Sequence, residues 1–321
     1  MKKINKFVIV SPRQNNGGSI VLHNLCKILS DMGYNACIFS PYCFRDEGYI
    51  KCVIKTLEYN IKDFIKYTLA HLFPNRFKNN KKFETYLNYT VRGYKRKLLP
   101  FVGKNTIVVY PEVIHGNMLH AKNVVRWFLY YNPFKNDETA YDDNDMFICY
   151  RRIFNDENLN PHGLEVCTPY FDSEFYCQTN FGERHGKCYI VRKGKNRPDL
   201  PKEFDGPVID DLLEKEKVEV LNKCEYCIIY DTQSLYSSIA SCCGCISVVV
   251  PEEGKTAKDY VSDEHYGIAY GFSDEQIKYS IETRELRVKS LKTINERSRA
   301  SAEKFIEYCR EYFINRGNNG K

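Results

Sequence analysis

The stretch Glu225–Glu253, EYCIIYDTQSLYSSIASCCGCISVVVPEE, constrains the fold more than any other part of this chain. It reads as a buried strand (Tyr226–Tyr230), a polar turn (Asp231, Thr232, Gln233, Ser234), a short helix ending at Gly244, and a second apolar strand (Cys245–Val250). Neither strand alternates apolar with polar residues. Such uninterrupted runs belong to strands covered on both faces, as in a parallel α/β sheet. The turn falls at the carboxyl end of one strand and the start of a helix, where open α/β sheets bind ligands and free N–H groups favour anions. Asp231 or Ser234 acting only as a helix cap is the alternative.

The same alternation recurs elsewhere. Near the amino terminus, Lys6–Ser11 reads as a strand, Pro12–Ser19 as a loop, Ile20–Met32 as a helix stopped by Gly33, and Asn35–Ser40 as a second strand. The helix is apolar at Ile20, Val21, Leu25, Ile28 and Leu29, a 3.6-residue period. Further strands are expected at Asn105–Tyr110, Asn123–Tyr131, Lys187–Val191 and, briefly, Asp205–Asp210, with a charged helix over Leu212–Lys223. From Glu282 the chain reads as helical, ending in Thr293–Tyr312. A chain of 321 residues exceeds one ordinary core. The pattern predicts an α/β protein with two doubly wound domains, 1–175 and 187–292, then a helix over 293–316. The polar segment Asp172–Gly186 is the expected linker.

Composition narrows the class. With 43% hydrophobic and 27% charged residues the chain is globular rather than disordered. No apolar run approaches the ~20 residues that span a bilayer. The opening MKKINKFVIVSPRQ reads as a strand, not a secretory leader, so the fourteen cysteines are expected as reduced thiols in the cytoplasm. Cys224-x-x-Cys227 and Cys242-x-x-Cys245 have the spacing of a zinc site, but their places within a strand and a helix favour core thiols. Charge is uneven: residues 51–100 hold twelve Lys or Arg against three Asp or Glu, a net +9 in a chain of net +6. Aromatics such as Phe64, Tyr67, Phe77 and Tyr94 are interleaved there. This mixture, above all over Arg76–Lys97, suits an anionic membrane or lipid-phosphate acceptor, and equally nucleic acid; a solvated helical insertion is the alternative.

Three loops carry candidate chemistry. In SPRQNNGGSIVLHNL, residues Asn16, Gly17, Gly18 and Ser19 would let backbone approach a ligand, although a tight turn explains the glycines equally; the loop is neither GxGxxG nor Walker A. His23, one turn into the following helix, could face the cleft, but a place on the helix surface is the expectation. Arg192, Lys193, Gly194 and Lys195 end a strand as a phosphate clamp, or as a basic surface turn. Asp231–Ser234 would then face ribose or sugar hydroxyls. Glu112, and His115 one turn on, follow a buried strand, where a general base for an acceptor hydroxyl belongs; Glu112 as a cap is the alternative. Asp143-Asn-Asp145 is similar to a manganese-binding DxD but lies in a polar loop.

Several of these motifs together resemble one group. They are the strand-loop-helix with Gly17-Gly18, Tyr110-Pro111-Glu112, Asn123-Val-Val-Arg126-Trp-Phe-Leu-Tyr-Tyr-Asn-Pro133, Val191-Arg192-Lys193-Gly194, and Tyr230-Asp231-Thr-Gln-Ser-x5-Ala-x3-Gly244-Cys245. The group is the GT-B glycosyltransferases of bacterial surface-polysaccharide (capsule and lipopolysaccharide) synthesis, including rhamnosyl- and galactosyltransferase-like members. The resemblance implies two Rossmann-like domains facing across a cleft, an acceptor-binding amino-terminal one and a nucleotide-sugar-binding carboxyl-terminal one, with a last helix returning to the first. It also implies donor contacts from Arg192, Lys193, Gly194, Lys195, Asp231, Thr232, Gln233, Ser234 and Glu252. The chain departs from that group in lacking two glutamates eight residues apart; Glu252-Glu253 stands where one of them often lies. The expected protein is a metal-independent glycosyltransferase without a cofactor. Its partners would be a nucleoside-diphosphate sugar and a saccharide or lipid-linked saccharide, with peripheral membrane contact at the inner face and no nucleic acid. The competing expectation is a non-catalytic basic protein that binds nucleic acid or anionic membrane through residues 51–100. A nicotinamide-dependent oxidoreductase is weakened by the missing GxGxxG.

Overall fold

The long apolar runs of the sequence become parallel strands in the computed structural model, which describes residues 4–12, 16–42, 45, 49–73, 76, 91, 93–232, 234–260 and 265–315. The protein is mixed α/β and divides into two compact units, Met1–Tyr170 with Asn295–Lys321, and Phe171–Ile294. The strands are β1 (Lys6–Val10), β2 (Asn35–Phe39), β3 (Thr106–Pro111), β4 (Asn123–Phe128), β5 (Met146–Cys149), β6 (Lys187–Ile190), β7 (Tyr226–Ile229), β8 (Ile246–Val249) and β9 (Ile268–Tyr270). The helices are α1 (Gly17–Asp31), α2 (Tyr49–Leu72), α3 (Glu214–Lys223), α4 (Tyr236–Cys242), α5 (Asp274–Glu282), α6 (Arg284–Lys292) and α7 (Ile294–Asn315).

The first unit carries a five-stranded parallel sheet in the order β2-β1-β3-β4-β5. After β1 the chain crosses to one side, then restarts at β3 on the other, so the switch point lies between the carboxyl ends of β1 and β3. Helix α1 packs Leu22, Leu25, Cys26 and Leu29 onto Phe7 and Ile9. Helix α7 completes that layer: Ala302, Phe305, Ile306 and Cys309 are buried in the same core, with the Phe305 ring 5.8 Å from Phe7. Ser298 donates to the Pro169 carbonyl at 2.6 Å, and Tyr312 to that of Asp145 at 2.9 Å.

The second unit has a four-stranded parallel sheet, β6-β7-β8-β9. On the free side of β6, Tyr189 N–H donates to the Pro207 carbonyl and Ile209 N–H to that of Tyr189, both at 2.9 Å. The segment before α3 thus lies parallel beside β6, opposite β7, and the switch point falls between the carboxyl ends of β6 and β7.

Several boundaries move from the sequence expectation. Asp205–Asp210 makes one bridge, Tyr189 to Val208, rather than a strand, because Pro207 has no N–H for the ladder. Helix α1 begins at Gly17, not Ile20, and the strand expected to reach Tyr131 ends at Phe128, where the chain turns outward. The single charged run after Glu282 resolves into α6 and α7, preceded by α5. β5 and β9 were not anticipated; at four and three residues they are too short to show a period. Within the basic insertion α2 is a 24-residue helix. Much of Arg76–Lys97 lies outside the described residues. No described helix is long and apolar enough to cross a membrane.

Candidate functional site

In the second unit, chain leaving β6 turns at once through a short 3-10 segment, Arg192–Gly194. Arg192 has φ 38°, a left-handed conformation that a non-glycine residue adopts at a cost of order 1–3 kcal/mol. Asp210 holds it there: its carboxylate accepts from Val191 N–H at 3.1 Å and Arg192 N–H at 2.7 Å. The Arg192 guanidinium lies over the Tyr236 ring, 5.3 Å from its centroid. Tyr236 in turn donates to Glu214 at 2.5 Å, and Glu214 also receives Lys217 at 2.9 Å and Tyr176 at 2.8 Å. Burial opposes ionisation of Glu214, but Lys217 and the two phenols hold it below its ordinary range.

The four residues of this turn have different roles. Arg192, Lys193 and Lys195 are exposed. Gly194 is buried against β7, where an added Cβ would lie 2.4 Å from the Tyr230 carbonyl oxygen. Its glycine is therefore required by packing, not by a ligand. Arg197, unremarked in the sequence, ties the carboxyl-end loops together: it donates to the carbonyls of Tyr230, Val250 and Pro251 at 3.2, 2.7 and 2.9 Å and pairs with Asp199. Across the switch point stands the turn after β7, with Asp231 buried and Thr232 and Ser234 half-buried; Gln233 lies outside the described residues. The cap position of α4 is Leu235, which makes no side-chain cap bond. The Ser234 hydroxyl accepts from the N–H of Tyr236, the first residue of α4, at 3.2 Å, so Ser234 meets the helix start as the capping alternative has it. Glu252 follows β8, exposed and ion-paired with Lys255.

In the first unit, the loop after β1 meets α1. Asn16 caps the helix by accepting from Ser19 N–H at 3.0 Å, and Ser19 Oγ donates to the Pro12 carbonyl at 3.2 Å. Gly17 and Gly18 form the first turn of α1 with no positive φ. Among the described residues nothing lies within 4 Å of where a Gly17 Cβ would stand, so neither conformation nor packing explains the missing side chain. His23 is not on the helix surface as expected. It is buried, with Nε2 3.1 Å from Ser11 Oγ and its ring stacked on Tyr94 at 4.4 Å. Burial, helped by the nearby Arg96, lowers its pKa to about 3, so it is neutral in the fold.

Across that switch point, the chain leaving β3 carries both residues read as candidate bases. The Glu112 carboxylate is buried and accepts from Leu129 N–H at 2.9 Å, joining the end of β3 to the end of β4. Burial pushes its pKa up, against the pull of backbone N–H groups of Leu129, Glu112 and Tyr130. His115 is only partly covered. Its Nε2 lies 3.1 Å from Asp137 and 3.3 Å from Thr139 Oγ1, and its ring meets Phe134 edge-on. The Thr139 hydroxyl, first, then its N–H and His115, hold Asp137 below the ordinary carboxylate range. Asp137 had no signal in the sequence, being one acid in KNDETAYDDND. In the same run, Asp145 is buried 2.6 Å from the Nε of buried Arg126, so the DxD-like pattern does not present two open carboxylates.

The thirteen described cysteines are free thiols, and among the described residues no group of three His, Cys, Asp or Glu has the arrangement of a metal site. Cys188 and Cys227 are register partners on β6 and β7, buried in the core of the second unit with Cys224, Cys242 and Cys245. A scan against protein-family models and a search of curated proteins find no match to this chain.

Proposed function

We propose that this chain is a glycosyltransferase of the GT-B type, moving a sugar from a nucleoside-diphosphate donor to a saccharide or lipid-linked saccharide without a metal ion. The observation that carries the reading is in the second unit. Three exposed cations, Arg192, Lys193 and Lys195, stand at a switch point of a parallel sheet, and the arginine is held at φ 38° by a dedicated carboxylate. Ligands of open α/β sheets bind at such points, and strained backbone clusters at binding sites. As the sugar departs, negative charge builds on the diphosphate, and fixed cations there lower the barrier. Because Asp210 occupies the N–H groups of Val191 and Arg192, side chains rather than that backbone would meet the phosphates.

On the acceptor side, the reading gives proton acceptance to His115. Asp137 orients the ring and stabilises the imidazolium that forms, while Glu112 is engaged by the backbone of β4. That no described residue lies within 4 Å of a Gly17 Cβ supports a ligand at the first unit's switch point. Calorimetry with a panel of nucleoside diphosphates tests the donor site directly. One of them should bind, and Arg192→Ala should weaken it by ~1.5–3 kcal/mol, the range for a hydrogen bond to a charged group. Turnover should persist in EDTA. Unchanged affinity in both Arg192→Ala and Lys193→Ala, or activity that chelation abolishes and manganese restores, would sink the reading.

A further inference from the structure

Helix α2 is attached to the protein by its polar side. Cys52, Thr56, Asn60 and Asp63 are buried. The Thr56 hydroxyl accepts from Tyr42 N–H at 3.2 Å, and Asn60 donates to the Leu98 carbonyl at 3.1 Å. The opposite side is apolar and faces outward. Ile50, Ile54, Ile61, Phe64, Ile65 and Leu72 are each more than half exposed. The five at 50, 54, 61, 65 and 72 recur at steps of four and seven, which places them within about 60° of one another around the helix. Lys51, Lys55, Lys62 and Lys66 each follow one of these residues, so they line a single flank of the apolar stripe. Surface helices of globular proteins show the reverse pattern, apolar inward and charged outward.

We propose that α2 lies in the plane of an anionic bilayer surface, with its isoleucines among the upper acyl chains and its lysines at the lipid phosphates. The stripe is the geometry of an interfacial amphipathic helix, and the lysine flank selects anionic over neutral headgroups. Membrane attachment through α2 is independent of the transferase reading, and either stands if the other fails.

The test is flotation of the full chain with vesicles of phosphatidylcholine, alone or mixed with phosphatidylglycerol. Three proteins are compared: the natural chain, Ile54→Ser/Ile61→Ser/Ile65→Ser, and Lys51→Gln/Lys55→Gln/Lys62→Gln/Lys66→Gln. All the altered apolar side chains are exposed, so circular dichroism and melting should match the natural chain. The natural chain should bind the mixed vesicles and be released as salt rises, because exposed charges are screened beyond ~8–10 Å. Each exposed lysine removed (Lys51, Lys62, Lys66) should weaken binding about fivefold, and Lys55 less, because it is half-buried with its ammonium 5.7 Å from the centre of the Tyr42 ring. Loss of the three isoleucines should weaken it on the order of tenfold or more. No binding to mixed vesicles at low salt would overturn the proposal. So would undiminished binding of the isoleucine variant, which would make the attachment purely electrostatic. A natural chain that self-associates through this face, shown by an isoleucine variant that becomes monomeric while vesicle binding is unchanged, would also overturn it.

Discussion

His23 gives the structure a measurable acid sensitivity. In the fold its imidazole is buried against Ser11 and Tyr94 and titrates at about 3; in the unfolded chain it titrates near ~6.5. A folded-state value below the unfolded one means that the unfolded chain binds the extra proton. The contribution to stability is therefore complete above pH ~6.5 and is lost as pH falls toward 3. At pH ~5 the unfolded imidazole is almost fully protonated and the folded one is not, a loss of about 2 kcal/mol relative to pH ~7.5. Since the folded value lies well below pH 5, this loss is set by the unfolded imidazole. His23→Gln removes the titration while keeping a polar partner for Ser11. Trp127, the chain's one tryptophan, is buried on β4 in the same unit, so its fluorescence reports unfolding there. Urea unfolding of both proteins at the two pH values yields a double difference in which every other titrating group cancels. The natural chain should lose about 2 kcal/mol more than the variant on acidification. Equal losses in the two proteins would refute a neutral buried His23.

Arg126→Met leaves Asp145 buried without its cation and should cost ~3–5 kcal/mol in the same fluorescence assay; adding Asp145→Leu should recover most of it. Gly194→Ala drives a methyl group into the Tyr230 carbonyl and should destabilise the second unit by ~1–3 kcal/mol in calorimetric melting, with nucleotide affinity falling as the Arg192 turn shifts. On the proposed reading, His115→Asn should cost ~10²–10⁴-fold in turnover at unchanged donor affinity. Glu112→Gln, which keeps an acceptor for Leu129 N–H, should leave turnover near normal; if their effects on turnover are reversed, Glu112 is the base.

What the sequence determined by itself is what short-range pattern encodes. The apolar runs at Phe7, Ile107, Val124, Tyr189, Cys227 and Val248 specify strands covered on both faces, the kind that pair in parallel. The carboxyl ends of those strands, with Gly17, Glu112, Arg192 and Asp231, were legible for the same reason, since they are where the pattern breaks. Tertiary structure decided which partner each of these residues meets. Asp210 reaches Arg192 and Asp137 reaches His115 only because the chain returns to a neighbouring strand, and no local period carries that information. Glu112 and His115 look alike in sequence, and the fold buries one beneath backbone N–H groups while leaving the other beside a carboxylate. Helix α2 shows the same division: its spacing makes a stripe of isoleucines, but which side faces outward was set by where Thr56 and Asn60 find their hydrogen bonds.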